Sequence, residues 1–291
     1  MINKRKKFYV DSPPLNRKSR DDLLTYHLSG YHPEISNRFP VFAPELAMEN
    51  DGFDRTLFET LFKIESSHFW FKSRNELIIQ CLKKYFPSAR NFCEIGCGTG
   101  YVLQGIAAEN PHMNVTGSEI YLSALDYAAQ RVPNADLIQA DICRFPFKSE
   151  FDVIGSFDVL EHIDNDMLAL QNIHKALKAN GGLILTVPQH DWLWSSYDDM
   201  ACHKRRYSRR ELLAKVKDAG FNVIRMTSFM TFLLPVMLAS RLKKTPDPST
   251  LLSVNRAMNA IFYKINRIEQ MLINRNINLP FGGSLLCIAK K

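Results

Sequence analysis

Residues 92–100 read FCEIGCGTG: an apolar run of strand length holding the carboxylate of Glu94, then glycines at 96, 98 and 100. Glycine loses more backbone freedom on folding than any other residue. Three of them at every second position are retained where the chain must take positive φ or let another group come close. A strand that ends in such a loop and opens straight into a helical stretch, here YVLQGIAAEN, is how α/β proteins offer backbone N–H groups to a ligand. From this point the chain alternates. Strand patterns fall at 91–95, 114–119, 136–140, 151–157 and 182–187, and FNVIRMTSF and GSLLCIAKK add two more towards the end. Strands separated by helices require crossover connections. The expected fold is therefore α/β, a Rossmann-like, doubly wound, mostly parallel seven-stranded sheet with helices on both faces.

Around that core the 291 residues divide into three parts. Residues 1–75 form an N-terminal extension and lid helices. Residues 76–230, completed by a last strand in 281–291, form the core, and 231–280 form a helical cap. The first 55 residues or so are Pro-punctuated (DSPPLN, YHPEISNRFPVFAPEL) and read as irregular, whereas FDRTLFETLFKIESSHFWFKSRNELIIQCLKKYF carries helical spacing for two helices. In the cap, Leu251, Val254, Met258, Ile261, Ile265, Ile268 and Leu272 mark one apolar face of a long helix. That face is expected to dock on the chain's own domain, with a homodimer seam or a membrane-surface helix as the alternatives.

The net charge of +7 collects partly in NKRKK and KRRYSRR, which favours anionic partners without choosing among them. Six cysteines stand without CxxC or metal-ligand spacing and without a signal peptide, so reduced thiols, a cytoplasmic setting and no metal are expected. The longest apolar run, FMTFLLPVMLA at 229–239, is far short of the roughly 20 residues a spanning helix needs. Followed by Arg241, Lys243 and Lys244, it would suit peripheral contact with anionic lipid.

Four features recur in a fixed order. The glycine loop comes first. VTGSEI then ends a strand in Glu119, nineteen residues after Gly100, at a distance that suits a carboxylate accepting ribose hydroxyls. LIQADICRFPF ends the next strand in Asp141, and FDVIGSFDVLEHI runs from a strand into a turn with Glu161 and His162. A dinucleotide fingerprint would space its glycines G-x-G-x-x-G, and here they run G-x-G-x-G. The ordered set resembles the class I S-adenosylmethionine-dependent methyltransferases over roughly residues 68–230 and the last strand. HFWFKSRNELI and VPQHDWLWSSYDDMACHKRRYSRRELLAKVKDAGF are similar to segments of a bacterial small-molecule and glycan-associated branch of them.

The resemblance implies roles. S-adenosylmethionine is the implied cofactor, with Gly96, Gly98, Gly100, Glu94 and Arg74 around its methionine part. Glu119 and Ile120 would lie at the ribose, Asp141 and Ile142 at the adenine, and Phe157, Asp158 and Glu161 beside the sulfonium. The structural alternative for Glu119 and Asp141 is a helix cap. Three histidines, His162, His190 and His203, are candidate bases, because imidazole titrates near neutrality. Trp194, Arg206 and Tyr207 would bind the acceptor, Arg206 as a clamp on an anionic group unless it pairs instead with Asp198 or Asp199. Cys202 stands where the resembling proteins usually carry glycine, which bears on the backbone before His203. The implied activity is methyl transfer to a small or carrier-linked acceptor. The alternatives are an RNA methyltransferase, for which no Asn/Asp-Pro-Pro-Tyr motif or RNA-binding module appears, and a non-catalytic cofactor-binding protein.

Overall fold

The alternating region builds the centre of one sheet. The computed structural model describes residues 33–36, 38–47, 56–241 and 254–291; Leu251, Lys243 and Lys244, the NKRKK and DSPPLN stretches and the side chain of Arg241 lie outside them. In chain order the strands are β1 (Glu34–Ser36), β2 (Phe39–Val41), β3 (Asn91–Ile95), β4 (Asn114–Glu119), β5 (Asp136–Gln139), β6 (Phe151–Phe157), β7 (Leu177–Pro188), β8 (Asn222–Phe229) and β9 (Ser284–Lys290). They lie in the order β1-β2-β5-β4-β3-β6-β7-β9-β8. The run from β2 to β7 is parallel, while β1 and the β9–β8 pair are antiparallel. The helices are α1 (Pro44–Ala47), α2 (Thr56–Ile64), α3 (Phe69–Tyr85), α4 (Tyr101–Glu109), α5 (Leu122–Arg131), α6 (Asp166–Ala176), α7 (Ser196–Met200), α8 (Arg209–Asp218), α9 (Leu234–Arg241) and α10 (Arg256–Asn274). Leu77, Leu103 and Leu125 from α3, α4 and α5 pack on one face of the sheet, and Ile173, Leu212 and Val216 from α6 and α8 pack on the other. The fold is thus the expected doubly wound α/β one. Between β3 and β6 the strand order changes direction, which opens a crevice at the strands' carboxyl ends.

Three expectations need correction. The described sheet has nine strands, because part of the extension expected to be irregular adds β1 and β2 to its edge. Phe39 and Val41 alternate into the core, and the Gln139 side chain brackets the Ala43 backbone with bonds of 3.0 and 2.9 Å, fixing the register. Second, β7 begins at Leu177, directly after α6 stops at Ala176, rather than at residue 182. The pairing of β6 with β7 shifts register there, and Asn180 takes φ 62°.

The third concerns α10, which docks by its other face. Asn259 bonds Ser67 O and Phe69 N at 3.0 and 2.8 Å, and Gln270 bonds Ser73 O at 2.8 Å. Glu269 accepts the N–H groups of Met230, Thr231 and Phe232, and Ile273 is fully buried. Most of the predicted face is turned outward: Met258, Ile261 and Ile268 are 43, 54 and 52% exposed, while Ile265 packs in part on the core, Val254 lines a cavity and Leu272 is half-buried. A ladder of hydrogen bonds to α3, each individually worth about 1 kcal/mol, decides the orientation. Helical periodicity marks a face without naming its partner.

Candidate active site

At the head of β3 the three glycines all adopt left-handed backbone, with φ of +69°, +51° and +78° at Gly96, Gly98 and Gly100. Their reasons differ. A Cβ on Gly96 would lie 2.4 Å from Val159 Cγ2 and one on Gly100 2.9 Å from Ala128 Cα, so those two serve the fold. A Cβ on Gly98 would meet nothing within 4 Å: it points into the open crevice. Glu119, at the end of β4, is buried and closes the loop from behind. Its carboxylate accepts from Gly98 N at 2.9 Å and from Ile120 N and Tyr121 N at 2.7 and 3.2 Å, while burial raises its pKa. Glu94 is buried with one carboxylate oxygen unpartnered, and burial pushes its pKa well above the usual carboxylate range despite nearby Arg74.

Glu65, just beyond α2, ties that helix to this loop: it accepts from Thr99 Oγ1 at 2.5 Å and ion-pairs with Arg131, which also bonds Phe62 O at 2.6 Å. Glu65 and Arg131 were not singled out from sequence, since nothing local distinguishes them from surface charges. Asp141 takes its structural alternative. It caps the short helical turn 142–144, accepting from Cys143 N at 2.9 Å, and pairs with Arg144 at 3.1 Å. Ile142 is buried beside it.

Beyond the loop lies a cavity of about 770 Å³. Its walls come from α2, α3, α9 and α10, including Leu61, Trp70, Val236 and Phe262, and from Phe157 at the end of β6. Arg74 on α3 reaches into it and forms a buried ion pair with Asp158, whose φ is 57°, while stacking over Trp70 at 4.4 Å. The partner expected of Arg74 is thus replaced, in this structure, by a carboxylate of the chain itself.

The polar end of the cavity is built by the segment after β7. Asp198 is fully buried and completes a capping box with Ser195 at the start of α7. It accepts from Arg206 Nε at 2.8 Å and Nη2 at 3.0 Å, and its Oδ1 lies 2.9 Å from His203 Nδ1. Burial alone would raise its pKa, but the bonds from His203 and Arg206 hold it well below the usual range. An ionised carboxylate only accepts, so the His203 Nδ1–H donates to it. Nε2 faces Glu161 Oε1 at 4.0 Å. Glu161 is 0% exposed, neither of its oxygens has a hydrogen-bond partner, and burial, followed by Asp158, pushes its pKa well up. His162 lines the same corner, its ring edge-on to His203 at 4.8 Å, and burial followed by His203 lowers its pKa to about 4. It is neutral at physiological pH.

Several assignments change here. Arg206 is not an acceptor clamp, because its fork is bound to Asp198 and its Nη1 to Gln189 O at 3.1 Å. Tyr207 is fully buried and donates to Asp166 Oδ2 at 2.7 Å, where Lys215 and Arg205 also converge, so it is a core strut away from the cavity. His190 stacks on Trp192 at 4.8 Å and lies outside the cavity lining. Trp194 does line the cavity, with its indole N–H bonded to Asp199 at 2.8 Å. Cys202 takes φ 56°, the glycine-type shape kept without a glycine. Cys202→Gly is therefore expected to stabilise the fold by about 1 kcal/mol in chemical denaturation; unchanged or lower stability would show that the loop bears no strain there.

A family model described as a methyltransferase domain matches residues 66–226, more than half of the chain. A protein of Mycobacterium tuberculosis described as a "Probable S-adenosylmethionine-dependent methyltransferase" is 26% identical over 56% of this chain and 59% of its own. The chain thus spans about three fifths of the length of that curated relative. The malonyl-[acyl-carrier protein] O-methyltransferase of Priestia megaterium is 25% identical over 38% of this chain and 42% of its own. Among solved structures, a SAM-dependent methyltransferase of Thermotoga maritima superposes with a TM-score of 0.51 at 18% identity, covering 81% of this chain and 95% of that one.

Proposed function

From the premise that the chain belongs to the methyltransferase-domain family, we propose that it transfers a methyl group from S-adenosylmethionine to a small or carrier-linked acceptor, with His203 as the proton acceptor. The observation that carries this is the buried Asp198–His203 pair, which holds His203 at the wall of a cavity that the carboxyl end of β6 also lines. The residues at those strand ends fit the cofactor. Gly98 leaves a cradle that any Cβ would fill, the orphaned oxygen of Glu94 suits an ammonium donor, and Glu119 backs the loop at the ribose position. When bound, S-adenosylmethionine supplies an electrophilic methyl group on a positively charged sulfur.

The chain's own residues supply positioning and proton removal. The 4.0 Å between His203 Nε2 and Glu161 is too wide for a direct hydrogen bond. His203 takes the proton that the acceptor loses as it is methylated. Asp198 stabilises the imidazolium that forms, and Arg206 fixes Asp198. The apolar walls align the body of the acceptor, and alignment is most of what a direct displacement requires. The carrier-linked option draws support from the Priestia relative, which is named for an acyl-carrier-protein acceptor.

Gly98→Val is the direct test. It is expected to abolish calorimetric binding of S-adenosylhomocysteine while circular dichroism still shows a folded protein, its melting temperature lowered because a β-branched residue is strained at φ +51°. Retained binding would separate the glycine loop from the cofactor. In parallel, tritiated methyl from labelled S-adenosylmethionine should enter a fraction of cell extract with wild type and not with this variant.

A further inference from the structure

The outward face of the cap is unlike the rest of the surface. Of the large hydrophobic side chains exposed among the described residues, most lie on or beside α9 and α10 and the loops next to them. On α10 the exposed apolar row Met258, Ile261, Ile268 is flanked by Lys264, which stands three and four residues from Ile261 and Ile268. Arg256 and Arg267 are also exposed, and the single acid of the helix, Glu269, is buried against the 230–232 backbone. The helix therefore carries three arcs: a hydrogen-bonded arc on α3, an apolar arc outward, and between them an arc that holds Arg256, Lys264 and Arg267 and no acid of the helix itself. On α9, Val236 lines the cavity that also reaches His203 and is itself 42% exposed, so this side chain stands at both the surface and the cavity wall.

We propose that this face of α9 and α10 docks on an anionic lipid bilayer, and that the methyl acceptor is an amphiphile whose polar head reaches His203 while its chain passes Val236. The second clause rests on the methyltransferase function proposed above; the first does not. An in-plane helix with an apolar arc and basic flanks is the arrangement that partitions into the headgroup boundary. Charge decides against a second copy of the chain as the occupant. An antiparallel two-fold pairing of α10 would set each basic row against its own copy, whereas anionic headgroups neutralise it. Among the described residues, Arg267 pairs with Glu76 at 3.2 Å, Tyr263 bonds Glu76 on the α3 side, and Lys72 lies 4.5 Å from the Tyr263 ring.

Flotation of the full chain with vesicles tests the surface. Binding to phosphatidylcholine vesicles containing about 30% phosphatidylglycerol should exceed binding to phosphatidylcholine alone by roughly tenfold or more, and should weaken on raising salt from about 0.05 to 0.5 M. Ile261→Glu with Ile268→Glu changes two exposed positions and should remove that binding while affinity for S-adenosylhomocysteine is unchanged. Equal binding to both vesicle types, no binding, or binding that survives the double substitution would overturn the surface. So would light scattering that shows a dimer which the double substitution converts to monomer. For the acceptor, labelled methyl should be recovered in the organic phase when wild type acts on vesicles containing total bacterial lipid; label found only in water-soluble products would overturn the amphiphile. Wild type that floats but does not bind S-adenosylhomocysteine would leave the surface standing and remove the methyltransferase function.

Discussion

His203→Gln should lower kcat by roughly 10²- to 10⁴-fold, the contribution expected of a positioned general base, while binding of S-adenosylhomocysteine stays within about twofold. The imidazole lies in the acceptor end of the cavity and touches neither the glycine loop nor Glu119. Glutamine keeps a donor near Asp198 but cannot accept and hold a proton, so the loss falls on turnover rather than on binding. Free imidazole added to His203→Gly should restore part of the rate, which a merely structural histidine would not allow. Full activity in His203→Gln would move the base elsewhere, and His162, neutral at the same corner, would be the next residue to replace.

Asp198→Ala should destabilise the protein by about 3–5 kcal/mol, the range for breaking a buried pair and leaving its charged partner uncompensated. Arg206 is 5% exposed, and two of its nitrogens would lose their acceptor at once. Arg206→Lys should also lower the melting temperature, because an ammonium cannot reproduce the two-point fork, and should leave KM for the acceptor unchanged. A raised KM with unaltered stability would restore Arg206 to the acceptor site. The sign of the pH dependence follows from the direction of the Asp198 shift. A carboxyl held below its unfolded value contributes stability that is full at neutral pH and above. That contribution is lost as pH falls below the ordinary carboxylate range towards the depressed value. Acid titration of the melting temperature should therefore be steeper in wild type than in Asp198→Asn.

Much of the site was legible because it is local. The glycine loop, Glu119 and the turn holding Asp158, Glu161 and His162 all follow strands, and strand ends in a doubly wound sheet converge on one crevice. His203 and Asp198 stood in one recognisable segment, though that they bond each other did not show. Arg206, Tyr207 and His190 carried the same chemical promise as His203, and the structure distributes them to Asp198, to Asp166 and to a stack on Trp192. A side chain's type says what it can bond, and only the neighbours say what it does bond.

The sequence by itself determined the periods: which stretches are strands, which are helices, and where backbone must turn left-handed with glycine. These depend on sterics and spacing within a few residues. The tertiary structure alone decided which face of α10 is buried, which acids the basic 204–210 segment meets, and that the extension adds strands to the sheet edge. Those outcomes rest on hydrogen bonds and ion pairs between residues far apart in the chain. Such pairs are settled by competition among many partners, which no local pattern records.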